Sequence, residues 1–460
     1  MKHLFLSFAI LGLCWAAPVR AGEDGRKRNV LFIVIDDLNT DLGCYGHALV
    51  KSPNIDRLAA RGVRFAHAYC QYAVCAPSRW SFLSGLRPET TGIYDFQTLL
   101  RSRIPDVVFL PQLFRQAGYF TAGNGKVFHD MRQSDAKISW DTYQDKMGGD
   151  AQEAAMVKRR YSFPEGKRPF EWAKVEGAGA KTRDGITART IAGFIEEKAK
   201  EGKPFFVAAG FHKPHLPWTA PVRYFDLYPP GSVPEPKDPV IKNIPAIALM
   251  TELVGNPLPK RTDAMAAYYA CTSFVDAQVG ILLDTLDRLK LWDDTVVVLF
   301  SDHGYHLGDH EGLWAKFTVF ELAARVPLII AAPGHGKGKT STRIVELIDL
   351  YPTLAELANL KAPPRLDGKS LVPLLKQADA PWNRPAYISV HHEGVEGKSV
   401  RTDRWRYTEW DQGNKGVELY DHDRDPTEYD SLATDPAYAA TIAELKKVLR
   451  KSKGSGERQR

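Results

Sequence analysis

Asn29-Val30-Leu31-Phe32-Ile33-Val34-Ile35-Asp36-Asp37 is the stretch from which the fold can be read. After Asn29 it runs without a polar interruption until two aspartates end it. A strand with one face in water alternates apolar and polar side chains, so a continuous run implies burial on both faces, as inside a parallel sheet. Pro204-Phe205-Phe206-Val207-Ala208-Ala209, Thr295-Val296-Val297-Val298-Leu299-Phe300 and Val326-Pro327-Leu328-Ile329-Ile330 read as strands of the same kind. Helical patterns lie between them. Residues 264–290 place Ala267, Cys271, Phe274, Val275, Val279, Leu282, Leu286 and Leu289 on one stripe and leave Asp276, Asp287 and Arg288 to solvent. Residues 186–200 turn Ile191, Phe194 and Ile195 inward. Strands alternating with helices predict an α/β fold with helices packed on a large, mostly parallel sheet. Ligands in such sheets bind beyond the carboxyl ends of the strands. Asp36-Asp37, His212 to His215 and Asp302-His303 all occupy that kind of position.

Outward from this core the pattern changes. Residues 141–184 are charged and carry Gly148-Gly149, and residues 228–259 are rich in proline; both read as long loops that shape a pocket or are passive insertions. From about residue 383, short alternating segments replace the continuous runs: Ala386-Tyr387-Ile388-Ser389-Val390, Ser399-Val400-Arg401-Thr402 and Trp405-Arg406-Tyr407-Thr408. They predict a smaller C-terminal antiparallel sheet, closed by an amphipathic helix over 438–449. The expected division is a large domain over 22–382 and a C-terminal subdomain over 383–460, the latter ending in a basic, solvated tail.

The amino terminus is set apart. Lys2 and His3 precede an apolar run over 4–17, and Val19-Arg20-Ala21 places small residues where a leader is cleaved. Residues 1–21 therefore read as a secretory signal peptide cut after Ala21. The run is shorter than the roughly 20 residues of a spanning helix. Leu13 is bulkier than the residue that normally precedes a lipidated cysteine, which argues against an anchor at Cys14. The expectation is an exported protein, periplasmic or secreted, with no membrane span. A net charge of +6 over 460 residues, lowered by two when Lys2 and Arg20 leave, is too mild for a nucleic-acid binder, and no motif for one is present. Four cysteines remain after the leader, without a CxxC pair or a regular spacing. Three of them, Cys44, Cys70 and Cys271, read as buried small residues or at most one disulfide.

The fourth carries chemistry. In Cys75-Ala76-Pro77-Ser78-Arg79, Pro77 suits the first turn of a helix, which puts Cys75 at or just before its N-terminus. There the free N–H groups and the dipole favour an anion. Arg79 adds a permanent cation, and on general grounds such a cysteine is an acidified, reactive thiol.

Cys75-Ala76-Pro77-Ser78-Arg79 followed by Leu83-Ser84-Gly85-Leu86-Arg87-Pro88 resembles the signature of the formylglycine-dependent (type I) sulfatases; threonine is more usual at the place of Ser84. The resemblance implies that a maturation enzyme oxidises Cys75 to Cα-formylglycine, whose hydrate attacks sulfur. It implies metal ligands at Asp36, Asp37, residue 75 itself, Asp302 and His303. Oxygen-rich ligands select a hard cation, so Ca²⁺ is expected and Mg²⁺ comes second. Many sulfatases carry Asn at the place of His303. Gly125-Lys126-Val127-Phe128-His129 resembles the Lys and His beside the aldehyde, His212-Lys213-Pro214-His215 the segment bringing a sulfate-binding His215, and Trp314-Ala315-Lys316 the second lysine. By the same resemblance Cys75, Arg79, Lys126, His129, His215 and Lys316 are the catalytic set.

Further stretches narrow the likeness to the iduronate-2-sulfatase group and its bacterial relatives: Leu42-Gly43-Cys44-Tyr45-Gly46, Ser52-Pro53-Asn54-Ile55-Asp56, Ile93-Tyr94-Asp95-Phe96 and Ser301-Asp302-His303-Gly304. Glu418-Leu419-Tyr420-Asp421 with Asp425-Pro426 resembles the family's C-terminal motif. The implied fold is the alkaline-phosphatase-like α/β sandwich, with 22–382 as its catalytic domain. The implied substrate is a sulfated carbohydrate, with 2-O-sulfated uronic acid as one candidate. A phosphodiesterase or phosphonate monoester hydrolase of the same superfamily, a non-catalytic glycan-binding relative, and a thiol enzyme built on Cys75 stay open as alternatives.

Overall fold

The computed structural model describes residues 27–129, 135–144, 154–163, 170–249 and 261–452. The leader and Cys14, part of the expected loops and the end of the basic tail lie outside the described residues.

Seventeen strands are present among these residues. Eight form the main sheet: β1 (Asn29–Ile35), β2 (Val63–Tyr69), β3 (Phe120–Gly125), β4 (Thr142–Gln144), β7 (Phe205–Phe211), β9 (Thr295–Ser301), β12 (Arg325–Ala331) and β13 (Lys339–Glu346). Their order is β13-β2-β12-β9-β1-β7-β3-β4. β1 pairs in parallel with β7 on one side and β9 on the other, so it is central and every residue of it is buried. Alternate residues then serve two cores. Val30, Phe32 and Val34 face one side with Trp80, Phe82, Phe114, Phe300 and Tyr351. Leu31, Ile33 and Ile35 face the other with Ile55, Ile191, Val279 and Leu286. This is the period-two geometry of a strand with apolar side chains on both faces, sandwiched between helices.

Helices cover both faces. α1 (Pro53–Arg61), α4 (Arg183–Glu201) and α5 (Arg261–Leu289) supply the second core, whereas α2 (Cys75–Ser84) and α3 (Leu110–Gln116) supply the first. Asp276 of α5 departs from the expected solvent position. It is 2% exposed and accepts hydrogen bonds from the Asn54 and Ile55 backbone N–H groups (3.0 and 2.8 Å), satisfying donors at the start of α1.

Two further expectations need correction. β12 is buried like its neighbours, but it runs antiparallel to both β2 and β9. Its register with β2 shifts between Val326 and Leu328, around Pro327, which has no N–H to give the ladder. Within 141–184, β4 joins the main sheet, and β5 (Val157–Phe163) and β6 (Phe170–Val175) join β8 (Trp218–Pro221) in a three-stranded sheet. Segment 228–249 is irregular apart from a single β-bridge between Lys242 and Asp430 and a turn of 3-10 helix at Ala246–Ala248.

β10 (His306–Asp309) and β11 (Leu313–Ala315) form a hairpin. The C-terminal sheet is as expected, antiparallel in the order β14 (Ala386–His392), β15 (Val395–Arg401), β16 (Trp405–Trp410), β17 (Val417–Asp421). One face packs on α6 (Ala439–Leu449) through Val400, Tyr407, Leu419, Leu445 and Leu449. The other contributes Ile388, Val390, Trp410 and Tyr420 to the first core of the main sheet. All four described cysteines are free thiols.

Candidate active site

Four adjacent strands deliver charged residues to one place. In the order β9-β1-β7-β3 their carboxyl ends lie side by side. Asp302 and His303 follow β9, Asp36 and Asp37 follow β1, His212 to His215 follow β7, and Lys126 follows β3. The backbone ladder continues into the site: the Asp302 N–H donates to Ile35 C=O (3.3 Å), the Asp36 N–H to Phe211 C=O (3.1 Å) and the Lys126 N–H to Gly210 C=O (2.8 Å). Gly210 permits this approach, since a Cβ there would lie 2.2 Å from the Lys126 backbone carbonyl carbon. Asp37 sits at φ 62°, a left-handed conformation that Asp tolerates better than most residues.

α2 brings its N-terminus to the same place. Cys75 is its first residue, and the whole helix is buried. The Cys75 Sγ lies 3.2 Å from His303 Nε2, 3.3 Å from Lys316 Nζ, 3.4 Å from Asp36 Oδ1 and 3.9 Å from Lys126 Nζ. Lys126 also pairs with Asp36, and Lys316 Nζ is 2.5 Å from Asp37 Oδ1. Burial raises both carboxyls, but Lys126, His215, Arg79 and Lys316 outweigh it and hold Asp36 well below the ordinary carboxylate range. Lys316 and His215 do the same, less strongly, for Asp37. Lys316 in turn is held well above the usual lysine range, because the attraction of Asp37, Cys75 and Asp36 exceeds its desolvation.

The thiol responds in the opposite sense. Burial first, then the Asp36 carboxylate, push Cys75 up to about 12 against the pull of Lys126 and Lys316. The acidified thiol expected from a helix N-terminus is therefore not what the site contains. Complete desolvation outweighs the dipole.

Arg79 is 1% exposed and turned toward the carboxylates. Its Nε and Nη2 lie 3.0 and 2.9 Å from Asp302 Oδ2, its Nη2 3.4 Å from Asp36 Oδ1, and its Nη1 donates to the backbone carbonyls of Lys126 and Val127. One guanidinium thus ties three strand ends together.

His303 shows how the cluster suits a cation. Its Nδ1 lies 2.9 Å from Gly304 C=O and donates there, so Nε2 presents a lone pair toward Asp37 Oδ1 and Asp302 Oδ2, both 3.5 Å away. Burial lowers its pKa, which keeps the imidazole neutral. Ligand atoms of Asp36, Cys75, Asp302 and His303 lie within 4.8 Å of one another, as do those of Asp36, Asp37, Cys75 and His215. Three carboxylates and one oriented imidazole fit a divalent metal ion, and the excess of oxygen fits a hard one.

His215 borders this group, its Nε2 4.0 Å from Asp37 Oδ2 and its Nδ1 2.7 Å from Leu216 C=O. Burial pulls it down to about 4. His129 is placed differently: its ring packs 5.1 Å from Phe96, and among the described residues it is not one of the hydrogen-bonding partners of the Cys75 sulfur.

Several supporting residues escaped the sequence reading. Tyr268 OH donates to Asp37 C=O (2.7 Å) and accepts from the Asn39 N–H (2.8 Å). The Asp184 carboxylate accepts from the His212 and Lys213 N–H groups (2.7 and 2.9 Å). No local signal marks either, because each acts on a distant segment. The hairpin that ends in Lys316 did leave a trace, three titratable residues in close succession. The Asp309 carboxylate lies 2.5 Å from His306 Nδ1 and 2.7 Å from His310 Nδ1, while His306 Nε2 is 2.7 Å from Thr318 Oγ1. Lys316 itself stands between two left-handed residues, Ala315 (φ 74°) and Phe317 (φ 82°). Such backbone persists where the surroundings over-determine it, and it concentrates at functional sites.

Residues 28–360 match the family model described as Sulfatase, and residues 308–455 match one described as N-sulphoglucosamine sulphohydrolase, C-terminal. A sulfatase of Formosa agariphila is 33% identical, with 97% of this chain and 92% of its own length covered. Iduronate 2-sulfatase of Homo sapiens is 32% identical over 88% of this chain and 90% of its own length. Among solved structures, BT1596, a 2-O GAG sulfatase, matches with a TM-score of 0.73 at 26% identity, covering 93% of this chain and 92% of that one. Since the family match runs from β1 through the hairpin that carries Lys316 and on to residue 360, this chain belongs to the sulfatase family and is a sulfuric ester hydrolase.

Proposed function

We propose that this sulfatase removes sulfate from a sulfated glycosaminoglycan-type carbohydrate, with 2-O-sulfated uronic acid as the first candidate, through a formylglycine made from Cys75 by a maturation enzyme. The observation that carries the reading is the position of Cys75, its sulfur between Lys126 and Lys316 and beside the carboxylate cluster. A buried thiol pushed up to about 12 is a poor nucleophile, whereas two lysines at this point suit an anionic sulfuryl group. The substrate class rests on likeness, to a human iduronate 2-sulfatase and to a structure described as a 2-O GAG sulfatase.

Residue 75, once converted, supplies a hydrated aldehyde of which one hydroxyl attacks sulfur and the other permits release of sulfate. Asp36, Asp37, Asp302 and His303, with residue 75, would hold a metal ion, for which Ca²⁺ is the first choice and Mg²⁺ the second and whose charge would polarise a sulfate oxygen. Arg79 keeps Asp36 and Asp302 in place. Lys126 and Lys316 neutralise charge on the sulfuryl oxygens. Lys316 stays protonated while His215 does not, so Lys316 is the group that carries a proton for the leaving sugar oxygen. His215 is neutral and directs its Nδ1–H at Leu216, so its Nε2 acts as an acceptor. His129 takes the proton from the second hydroxyl during release. Residues 1–21 direct export to the periplasm or medium, 22–382 form the catalytic domain and 383–460 the C-terminal subdomain.

The test combines chemistry and turnover. Peptide mass spectrometry of active enzyme from its own host is expected to find an aldehyde or its hydrate at residue 75. Cys75→Ser is expected to lose about a thousandfold or more in steady-state rate, and a chelator to abolish aryl sulfate hydrolysis until Ca²⁺ is returned. A plain thiol in fully active enzyme, or preference for an aryl phosphate diester over an aryl sulfate, overturns the proposal.

A further inference from the structure

A cluster of rings stands beside the site, built from segments far apart in sequence. Tyr72, three residues before Cys75, lies 6.0 Å from Tyr94 and 6.2 Å from His391 between ring centroids, and Tyr94 lies 4.4 Å from His391. His391 comes from β14, so the C-terminal sheet supplies part of this surface. Phe96 extends it to His129 on the other side. Tyr72 is buried, whereas Tyr94, Phe96 and His391 are half-buried and reach solvent.

The ledge is rigid. Asp95 accepts from the Gln97 and Thr98 N–H groups (2.7 and 2.6 Å) and from the Thr98 hydroxyl (2.7 Å), which fixes the turn that presents Tyr94 and Phe96. The Tyr72 hydroxyl is 3.3 Å from His391 Nδ1 and orients that ring. Neither Tyr94 OH nor His391 Nε2 has a hydrogen-bond partner among the described residues. At the edge, Lys398 and Glu396 pair at 3.0 Å and are partly exposed, so the rim offers donors and acceptors with no net charge.

We propose that this ledge binds the sugar ring adjoining the sulfated one: a hydroxylated pyranose without its own sulfate. Half-exposed aromatic faces suit the apolar CH face of such a ring, and Tyr94 OH and His391 Nε2 suit its hydroxyls. Lys398, the cation at this rim, is already paired with Glu396, so it offers an additional sulfate no free charge. The inference rests on the proposed sulfatase action on carbohydrate, and it extends that action from a monosaccharide site to one that also reads the next residue.

The experiment compares full-length wild type, Tyr94→Ala, Tyr94→Phe and His391→Ala, each checked for an unchanged melting temperature. The probes are 4-nitrophenyl sulfate and a disaccharide of 2-O-sulfated uronic acid and N-acetylglucosamine. Tyr94→Ala and His391→Ala are expected to raise KM for the disaccharide about tenfold, the loss of one well-placed contact. Their kcat and their aryl sulfate kinetics should stay within about twofold, and Tyr94→Phe should fall in between. Equal losses on both probes, unchanged KM on the disaccharide, or wild type that cleaves the aryl sulfate but not the disaccharide each overturn the ledge. Wild type inert on both probes defeats the sulfatase-on-carbohydrate reading itself.

Discussion

At the scale of single residues, burial decides which protonation states this chain tolerates. Cys75 and Asp36 share one desolvated space, yet the carboxylate stays charged because several cations face it, whereas burial first and the Asp36 carboxylate second keep the thiol protonated against the pull of Lys126 and Lys316. Glu418 shows the same balance away from the site. It is buried, accepts from Trp410 Nε1 (2.6 Å) and Tyr420 OH (2.7 Å), and is pushed by burial up to about 7 despite those donors; Glu428 adds to the push and Arg406 opposes it. The folded state then binds this proton more tightly than the unfolded chain. The stability it contributes is fully present below the ordinary value of 4.5 and falls as pH rises toward 7, by up to about 3 kcal/mol. Melting temperatures across that window are expected to fall less steeply in Glu418→Gln than in the parent. Glu418 was singled out in sequence by its motif, but its titration depends on Trp410 and Tyr420 standing over it, which no motif states.

At the scale of elements, the parallel strands act as a positioning device. Adjacent carboxyl ends place Asp302, Asp36, His212 and Lys126 at intervals set by strand spacing, and the charged residues expected at those ends do lie side by side, because continuous apolar runs mark the strands that carry them. Strand direction was less legible. A buried antiparallel strand such as β12 has the same apolar composition as a parallel one, and its partners are remote. β5 and β6 hid in a charged segment, which lacks the continuous apolar runs that mark the strands of the main sheet. Gly210 offers a direct test of the device. Gly210→Ala drives a Cβ into the Lys126 backbone, so a loss of about 1–3 kcal/mol in stability is expected, together with reduced aryl sulfate turnover as Lys126 shifts. Chemical denaturation and steady-state kinetics measure the two effects.

At the scale of the whole molecule, the C-terminal sheet is joined to the main sheet by a buried ion network. Arg406 of β16 pairs with Glu321, just before β12, at 2.7 Å and with Glu428, and His422 lies 2.8 Å from Glu428. Removing the guanidinium takes from two buried carboxylates a cation they share, leaving Glu321 to Arg401 and Tyr69 and Glu428 to His422. Arg406→Ala is expected to cost about 3–5 kcal/mol, seen as a lower denaturation midpoint. The same junction brings His391 beside Tyr72 and Tyr94, so cohesion and the proposed sugar ledge depend on one docking event. Among the described residues, no helix is long and apolar enough to cross a membrane.

Sequence alone determined the layered α/β architecture, the helix that starts at Cys75 and the charged residues at the strand ends, because these follow from local periodicity and from residues adjacent in the chain. Tertiary structure alone decided that the Cys75 thiol is protonated, that Arg79 faces carboxylates, that Lys316 is clamped between left-handed residues, and that His391 comes from the C-terminal sheet to lie beside Tyr72 and Tyr94. Those outcomes depend on desolvation and on charges brought together across hundreds of residues, and neither quantity exists until the chain has closed around them.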